Sequence, residues 1–275
     1  MRASRRDWAF ACPACGYLAS SLVANLDVQA MPQIDEERRE SALAELRLQN
    51  FERVLDRIGA ITGPGQRRLL DVGCGHGWFL DAAASRGFDV AGVEPDAAMA
   101  LRSRNKGHFV YGGPFPEALA GDQSFDIITF NDVFEHLAEP REALASCGRL
   151  LRANGVVVLN LPSSQGALFQ IVSMLDRSGI KGPYERIWQK NFPSPHLSYF
   201  HEAALARLAA RENFVELYRG TLPSLQHAGL WARLRYDRES SIGAASVAWV
   251  GIMLISPILP LLPADISLQV FRSHA

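Results

Sequence analysis

The stretch "LLDVGCGHGWFL", Leu69 to Leu80, sets an apolar run and an aspartate before three glycines at alternate positions, after which apolar residues resume. The run predicts a short buried strand and the resumption predicts a helix start. The glycines between them let the backbone turn sharply and approach a ligand with no Cβ in the way. In an open α/β sheet such a loop lies at the C-terminal edge, where ligands bind. A dinucleotide loop reads G-x-G-x-x-G. Here Gly73, Gly75 and Gly77 give G-x-G-x-G, and Trp78 stands where the third glycine would be. Glu94 closes "DVAGVE", 21 residues after Gly73. An acid at that place can accept hydrogen bonds from both ribose hydroxyls, of NAD or of another adenosine ligand.

Outward from the loop, strand and helix patterns alternate. "RRLLDV", "FDVAGVE", "HFVY", "FDIITF" and "GVVVLNLP" predict strands. "WFLDAAASRG", "PDAAMALRSR" and "PREALASCGRLL" predict helices, with Gly87 as a stop and Pro95 near a first turn. The alternation predicts an α/β parallel sheet covered on both faces. Upstream, "IDEERRESALAELRLQNFERVLDRIGAI" predicts one long amphipathic helix with Leu43, Leu46, Phe51, Val54, Leu55 and Ile58 near one face, broken at "TGPGQ". After Pro162 the regularity loosens. "HEAALARLAAREN" predicts a helix, "FVELYRG" a strand and "ISLQVFR" a last strand.

The chain has 275 residues, 48% of them hydrophobic, and a net charge of -1. That supports one full domain with attachments. It argues against nucleic acid as the partner, since such domains carry a basic excess. Four cysteines give no disulfide framework and fit a reducing compartment. The twin arginine of "MRASRRDWAF" has the start of an export signal, but Pro13, Gly16, Asn25 and the paired cysteines make a poor apolar region behind it. A polar N-terminal extension is the plainer expectation.

"LLDVGCGHGWFL", "VAGVEPDAAM", "FDIITFNDVFEHLAEP", "LLRANGVVVLNLP" and "HLSYFHEAAL", in this order, resemble the class I S-adenosylmethionine-dependent methyltransferases, and more narrowly the ubiquinone and sugar O-methyltransferases. The resemblance runs from about Leu69 to Phe214. It implies a Rossmann-like, seven-stranded, mostly parallel sheet whose last strand is antiparallel, with helices on both faces. It implies S-adenosyl-L-methionine as cofactor. Asp71, Gly73, Gly75 and Gly77 would shape the pocket for its methionine end, Glu94 would hold the ribose, and Asn131 would face the methionine and sulfonium. Family members often place an acid after the third strand, on the adenine amine. Here that stretch is "YGGPFPEAL", which leaves backbone groups and Phe115 to hold adenine, or a tight turn with no ligand role.

An acceptor hydroxyl needs a base, and His136 in "DVFEHL" and His196 in "SPHLSYF" are the candidates. Each could instead pack or brace its own segment. Asp132 is expected to cap the helix "VFEHL". The aromatic stretch Phe169, Tyr184, Trp188, Phe192, Tyr199 and Phe200 is expected to cover the acceptor, with some rings in the core. "CPACGY" has the spacing of one zinc-ribbon knuckle and resembles the second half of the ribbon found on related bacterial enzymes. Two thiolates lack the other two ligands of a structural site, so no metal is expected.

Ile242 to Ala264 carries no charge over 23 residues, divided by Pro257, Pro260 and Pro263. Its uninterrupted helical part would reach only about 20 Å, against a bilayer core of roughly 30 Å. Upstream lies "WARLRYDR", with Trp231, Arg233, Arg235, Tyr236 and Arg238. Residues 231–264 therefore suit either a peripheral contact at the inner membrane face of a cytoplasmic protein, or a buried core or subunit interface. The expected layout is an extension over 1–34, a cover helix over 35–62, the cofactor-binding core over 63–220, a hydrophobic insert over 221–264 and a final core strand over 265–275. The acceptor would be a small or lipid-linked molecule, a quinone-like phenol or a sugar. A catalytically silent membrane-docking module and an NAD-dependent oxidoreductase are the alternatives. The oligomeric state is left open.

Overall fold

The computed structural model describes residues 1–3, 6–24, 36–119, 123–224, 230–231, 242–255 and 261–274. Asn25, the side chain of Leu43, and Arg233, Arg235, Tyr236, Arg238, Pro257 and Pro260 lie outside the described residues. The chain opens with three short strands, β1 (Arg2–Ala3), β2 (Ala9–Ala11) and β3 (Leu18–Ser20), and a long helix, α1 (Glu36–Ile61). Then come β4 (Arg68–Val72), α2 (Trp78–Ser85), β5 (Asp89–Glu94), α3 (Ala97–Asn105), β6 (Phe109–Gly112) and β7 (Phe125–Asn131). A single 3-10 turn, Phe134–His136, leads to α4 (Pro140–Leu150), β8 (Leu151–Pro162), α5 (Ala167–Arg177) and α6 (Gly182–Ile187). The chain ends with β9 (Ser198–Tyr199), α7 (Glu202–Arg211), β10 (Phe214–Leu222), α8 (Ile242–Ile255) and β11 (Ile266–Ser273).

Seven strands form the main sheet in the order β10-β11-β8-β7-β4-β5-β6. All pairs are parallel except those of β11, which runs antiparallel to both β10 and β8. This is the expected fold class. The central strands are near-continuous apolar runs because helices cover both faces. On one face Leu70, Ile128, Phe130, Val157 and Leu159 pack with Leu144 and Cys147 of α4 and Leu205 of α7. On the other, Leu69, Ile127, Val156 and Val158 pack with Val54, Leu55 and Ile58 of α1 and Phe79 of α2. Adjacent residues of one strand thus serve opposite cores, as the two-residue period of a strand requires. The expected apolar face of α1 is a core face over its second half.

The N-terminus is not a plain polar extension. β1, β2 and β3 build a small antiparallel sheet, to which β9 adds the fourth strand. Cys12 and Cys15 sit in the turn between β2 and β3, with Gly16 N–H donating to Cys12 O at 2.9 Å. Both thiols are free, and among the described residues no third ligand joins them. Hydrogen bonding from Cys15 lowers the Cys12 pKa.

The aromatic stretch differs from expectation. Phe169, Tyr184, Trp188 and Tyr199 are buried in one another and against Trp8, just ahead of β2, and Leu18 of β3, while Phe200 joins the main core. They pack α5 and α6 against the small sheet rather than lining an open cover. Phe115 is also a core residue, edge-on to Phe130 at 5.5 Å between centroids.

Candidate active site

The glycine loop is fixed to the neighbouring strand by its own backbone. Gly73 N–H and Cys74 N–H both donate to Val93 O of β5, at 2.7 and 3.1 Å. Gly73, Gly75 and Gly77 all have positive φ, the left-handed region that side-chain-bearing residues avoid. At Gly73 an added Cβ would lie 2.6 Å from the Val133 side chain, so this glycine serves packing. At Gly75 an added Cβ would meet nothing within 4 Å. That glycine faces open space.

Glu94 stands at the end of β5 and is buried. Its Oε2 accepts from Gly75 N–H at 2.8 Å and its Oε1 from Asp96 N–H at 2.9 Å. Burial raises its pKa, opposed by those two N–H donors. A carboxylate has about four acceptor positions, so two stay available beside the open space at Gly75. These residues fit a ligand with a vicinal diol, such as a ribose.

Asp71, at the end of β4, is almost wholly buried. Its Oδ1 accepts from Thr129 Oγ1 at 2.7 Å and Asn131 Nδ2 at 2.9 Å, both from β7. Burial pushes its pKa up to about 7, against the two hydrogen bonds that lower it and with Glu94 adding to the rise. The expected cofactor residues Asp71, Gly73, Gly75, Gly77, Glu94 and Asn131 thus stand together at the C-terminal ends of β4, β5 and β7. Thr129 belongs with them. Its signal in the sequence was the two-residue period, which puts Thr129 and Asn131 on one face of β7.

Asp132 does not cap a helix, contrary to expectation. It has φ 54°, and the turn that follows is a single 3-10 turn preceded by Val133, with no side-chain cap. Burial raises the pKa of Asp132, opposed by Arg47 of α1. Glu135 is buried at 1% exposure, and its pKa lies well above the ordinary value through burial and the nearby Asp132.

His136 and His196, far apart in sequence, are brought together with ring centroids 4.7 Å apart. His136 Nδ1 lies 2.9 Å from Pro195 O, an acceptor only, so this nitrogen carries the hydrogen. Tyr199 Oη donates to Ile187 O at 2.8 Å and therefore accepts from His196 Nδ1 at 2.9 Å. The lone pair of His196 is on Nε2, where the Gln189 amide donates at 2.9 Å. Gln189 holds that position at φ 52°, a conformation costing roughly 1–2 kcal/mol in a side-chain-bearing residue. Burial, then the neighbouring His136, lowers the His196 pKa to about 3, so the ring is neutral near pH 7. Tyr199, expected as part of the acceptor's aromatic cover, instead orients His196 from β9, and Gln189 could not be assigned to this site from sequence, because the segment that carries it has no periodicity.

A family model described as "Methyltransferase domain" matches residues 36–217, well over half of the chain. A ubiquinone biosynthesis O-methyltransferase of Alkalilimnicola ehrlichii is 28% identical over 145 residues, 50% of this chain and 58% of that protein. One of Paracidovorax citrulli is 36% identical over 113 residues, 37% of this chain and 47% of that protein. The chain therefore spans about half the length of these relatives. Among solved structures, a cyclopropane synthase of Mycobacterium tuberculosis superposes with TM-score 0.57 at 16% identity, covering 84% of this chain and 85% of the other. A SAM-dependent methyltransferase of Archaeoglobus fulgidus gives TM-score 0.53 at 17% identity, covering 84% and 97%. These two likenesses concern the fold. On the family match and the loop geometry together, the chain belongs to the methyltransferase domain family, whose cofactor is S-adenosylmethionine.

Proposed function

We propose that this chain transfers a methyl group from S-adenosylmethionine to an oxygen of a small or lipid-linked, quinone-like phenol. The observation that carries the first half is the buried Glu94 with two acceptor positions open beside Gly75. The names of the matched relatives support the second half. When bound, S-adenosylmethionine supplies an electrophilic methyl on sulfur for an in-line displacement. The protein's share is placement. Glu94 takes the ribose hydroxyls, Asp71 and Asn131 take the charged methionine end, and Glu135, His136 and His196 surround the acceptor hydroxyl. His196 at a pKa of about 3 is too weak a base to keep the hydroxyl's proton.

Calorimetric titration with S-adenosylmethionine, S-adenosylhomocysteine and NAD tests this. The first two bind and NAD does not; the opposite order, or no binding by either, ends the proposal. The same titration run from pH 5.5 to 7.5 tests Asp71. Free Asp71 holds its proton below about pH 7. A cationic ligand needs the carboxylate, so binding releases that proton. Affinity should rise with pH by up to about tenfold per unit below 7 and flatten above. Asp71→Asn should abolish the slope. A flat profile in the unmodified protein would remove the charge role.

We also propose peripheral membrane contact, in keeping with a lipid-linked acceptor. On α5, Leu168, Ile171 and Met174 are exposed at three-residue spacing, with Ile180 beyond. Ala167 N–H donates to Pro263 O at 3.0 Å, which brings α5 beside the exposed Leu261 and Leu262. On α8, Trp249, Val250 and Leu254 are exposed. Patches of this kind mark interaction sites. No described helix is long and apolar enough to cross a membrane. Flotation with anionic vesicles should carry the protein upward, and Ile171→Asp with Met174→Asp should leave it at the bottom. Equal flotation of both proteins would refute the contact.

A further inference from the structure

Cys12 and Cys15 lie in one hydrogen-bonded turn, closed by Gly16 N–H donating to Cys12 O at 2.9 Å and by Cys12 N–H donating to Tyr17 O at 2.8 Å. Both thiols are free and half-buried, and both residues line a cavity of about 440 Å³ on the α4–α7 side of the domain. We propose that this pair is a dithiol–disulfide exchange site, and that the cavity receives a small anionic disulfide of the glutathione class as its oxidant.

Two cysteines at this spacing serve either a metal or redox chemistry. A metal finds too few ligands here. Among the described residues no third ligand atom joins the two sulfurs. The nearby imidazole of His201 is turned the wrong way: its Nε2 lies 2.7 Å from Cys15 O, an acceptor only, and so donates there. Redox chemistry finds what it needs. The Cys15 thiol and the N–H groups of Ala14 and Cys15 hydrogen-bond to the Cys12 sulfur and lower its pKa, which makes Cys12 the attacking thiol. A tight turn holds its first and fourth Cα atoms within about 7 Å, close to the span a disulfide bridges. Cys74 and Cys147 are buried, and burial raises the pKa of each. They stay thiols, which leaves the turn as the reactive place among the four cysteines.

The lining fixes the class of disulfide. Arg207 and Arg211 of α7 face the cavity, and among the described residues neither pairs with a carboxylate. Arg207 donates to Ala14 O at 3.3 Å, which ties the turn to α7. Arg141 is already paired with Glu212, and Glu139 is the one acid of the lining. Guanidinium groups beside the thiols select carboxylates, which arginine takes in a two-pronged grip. The volume lies within the roughly 300–1,000 Å³ of small-molecule sites. The Cys12 thiolate attacks one sulfur of the disulfide; the S–S bond breaks, and the departing thiolate takes a proton from solvent. Cys15 then gives its proton to solvent and attacks the Cys12 sulfur, which breaks the mixed disulfide and releases the second small thiol. Two electrons pass from the cysteine pair to the small disulfide, and two small thiols reverse the exchange. Cross-linking so short a loop constrains the unfolded chain least, so both states keep the fold. No step involves methyl transfer or its cofactor.

The test uses the untagged full-length protein, purified without chelator and first analysed for metal. It is then reduced, freed of reductant and treated without air, either with glutathione disulfide or with the neutral hydroxyethyl disulfide. Intact mass and peptide mapping after alkylation read the products. Glutathione disulfide should give an internal Cys12–Cys15 disulfide with no adduct retained, and excess reduced glutathione should restore both thiols. Cys15→Ser should stop at a glutathione adduct on Cys12, and Cys12→Ser should react at least about tenfold more slowly than the parent. Arg207→Gln with Arg211→Gln should lower the rate with glutathione disulfide, relative to the rate with the neutral reagent, by about tenfold. These four side chains are at the surface of the turn and of α7, and melting curves of the reduced proteins check that each variant is folded. Three results each overturn the proposal: stoichiometric zinc held by Cys12 and Cys15 in the purified protein, a lasting glutathione adduct in place of the internal disulfide in the parent, or an unchanged rate ratio in the arginine variant.

Discussion

Gly75→Asn should weaken S-adenosylmethionine binding by more than about 100-fold, equivalent to roughly 2.7 kcal/mol, while the fold stays intact. Gly75 has φ 52°, and asparagine is the side-chain-bearing residue that best tolerates this region. The new side chain enters a space with nothing within 4 Å of its Cβ, so it clashes with no protein atom there. Gly75 N–H still donates to Glu94. What the side chain does occupy is the space in front of the loop, where the cofactor is proposed to lie against bare backbone. Gly73→Ala provides the contrast. Its Cβ would come within 2.6 Å of Val133, so it should act on stability, by roughly 1–3 kcal/mol. Calorimetry and thermal melts on the two variants separate the effects. Full affinity in Gly75→Asn would mean that the cofactor does not approach the loop.

The main sheet was legible because its signals are local. Val156, Val157, Val158 and Leu159 serve alternate faces of β8, and the glycines at 73, 75 and 77 mark one turn that only positive φ can make. The small sheet was not legible. Its strands are two or three residues long, too short for a period, and β3 finds its partner β9 almost the whole domain away in sequence. Asp132 carried the signal of a helix cap, but the helix is a single turn and the residue itself is left-handed. Composition likewise could not separate rings that cover a ligand from rings that cover each other. His136 and His196 were both nameable from residue type. That they share Glu135 depends on the 194–199 segment folding back onto the 3-10 turn, where Leu197 N–H donates to Glu135 O at 2.8 Å.

Trp188→Ala should destabilise the protein by about 3–5 kcal/mol, the usual cost of removing a fully buried large aromatic. Trp188 has no exposed surface and packs with Phe169 of α5, Tyr184 of α6 and Tyr199 of β9. Its ring meets Tyr199 at 4.8 Å and Trp8 at 5.6 Å, both edge-on, and Tyr184 at 6.2 Å. Rings in such pairs add about 0.5–1.5 kcal/mol beyond the area they bury. The neighbours cannot close the gap easily. Tyr199 is held by its hydroxyl between Ile187 O and His196, and Trp8, just ahead of β2, is tied by its O to Ser21 N–H at 2.8 Å. A chain of this size loses about 2–4 °C of melting temperature per kcal/mol, so the drop should be on the order of 10 °C. The damage should also reach the site, because Trp188 O accepts from His196 N–H at 3.0 Å and Tyr199 holds the His196 ring. Trp188→Phe should keep most of the packing and most of the His196 geometry, at a smaller cost. Thermal melts of the two variants decide it. A Trp188→Ala protein less than about 1 kcal/mol weaker would mean that α5 and α6 are not held to the small sheet through this ring.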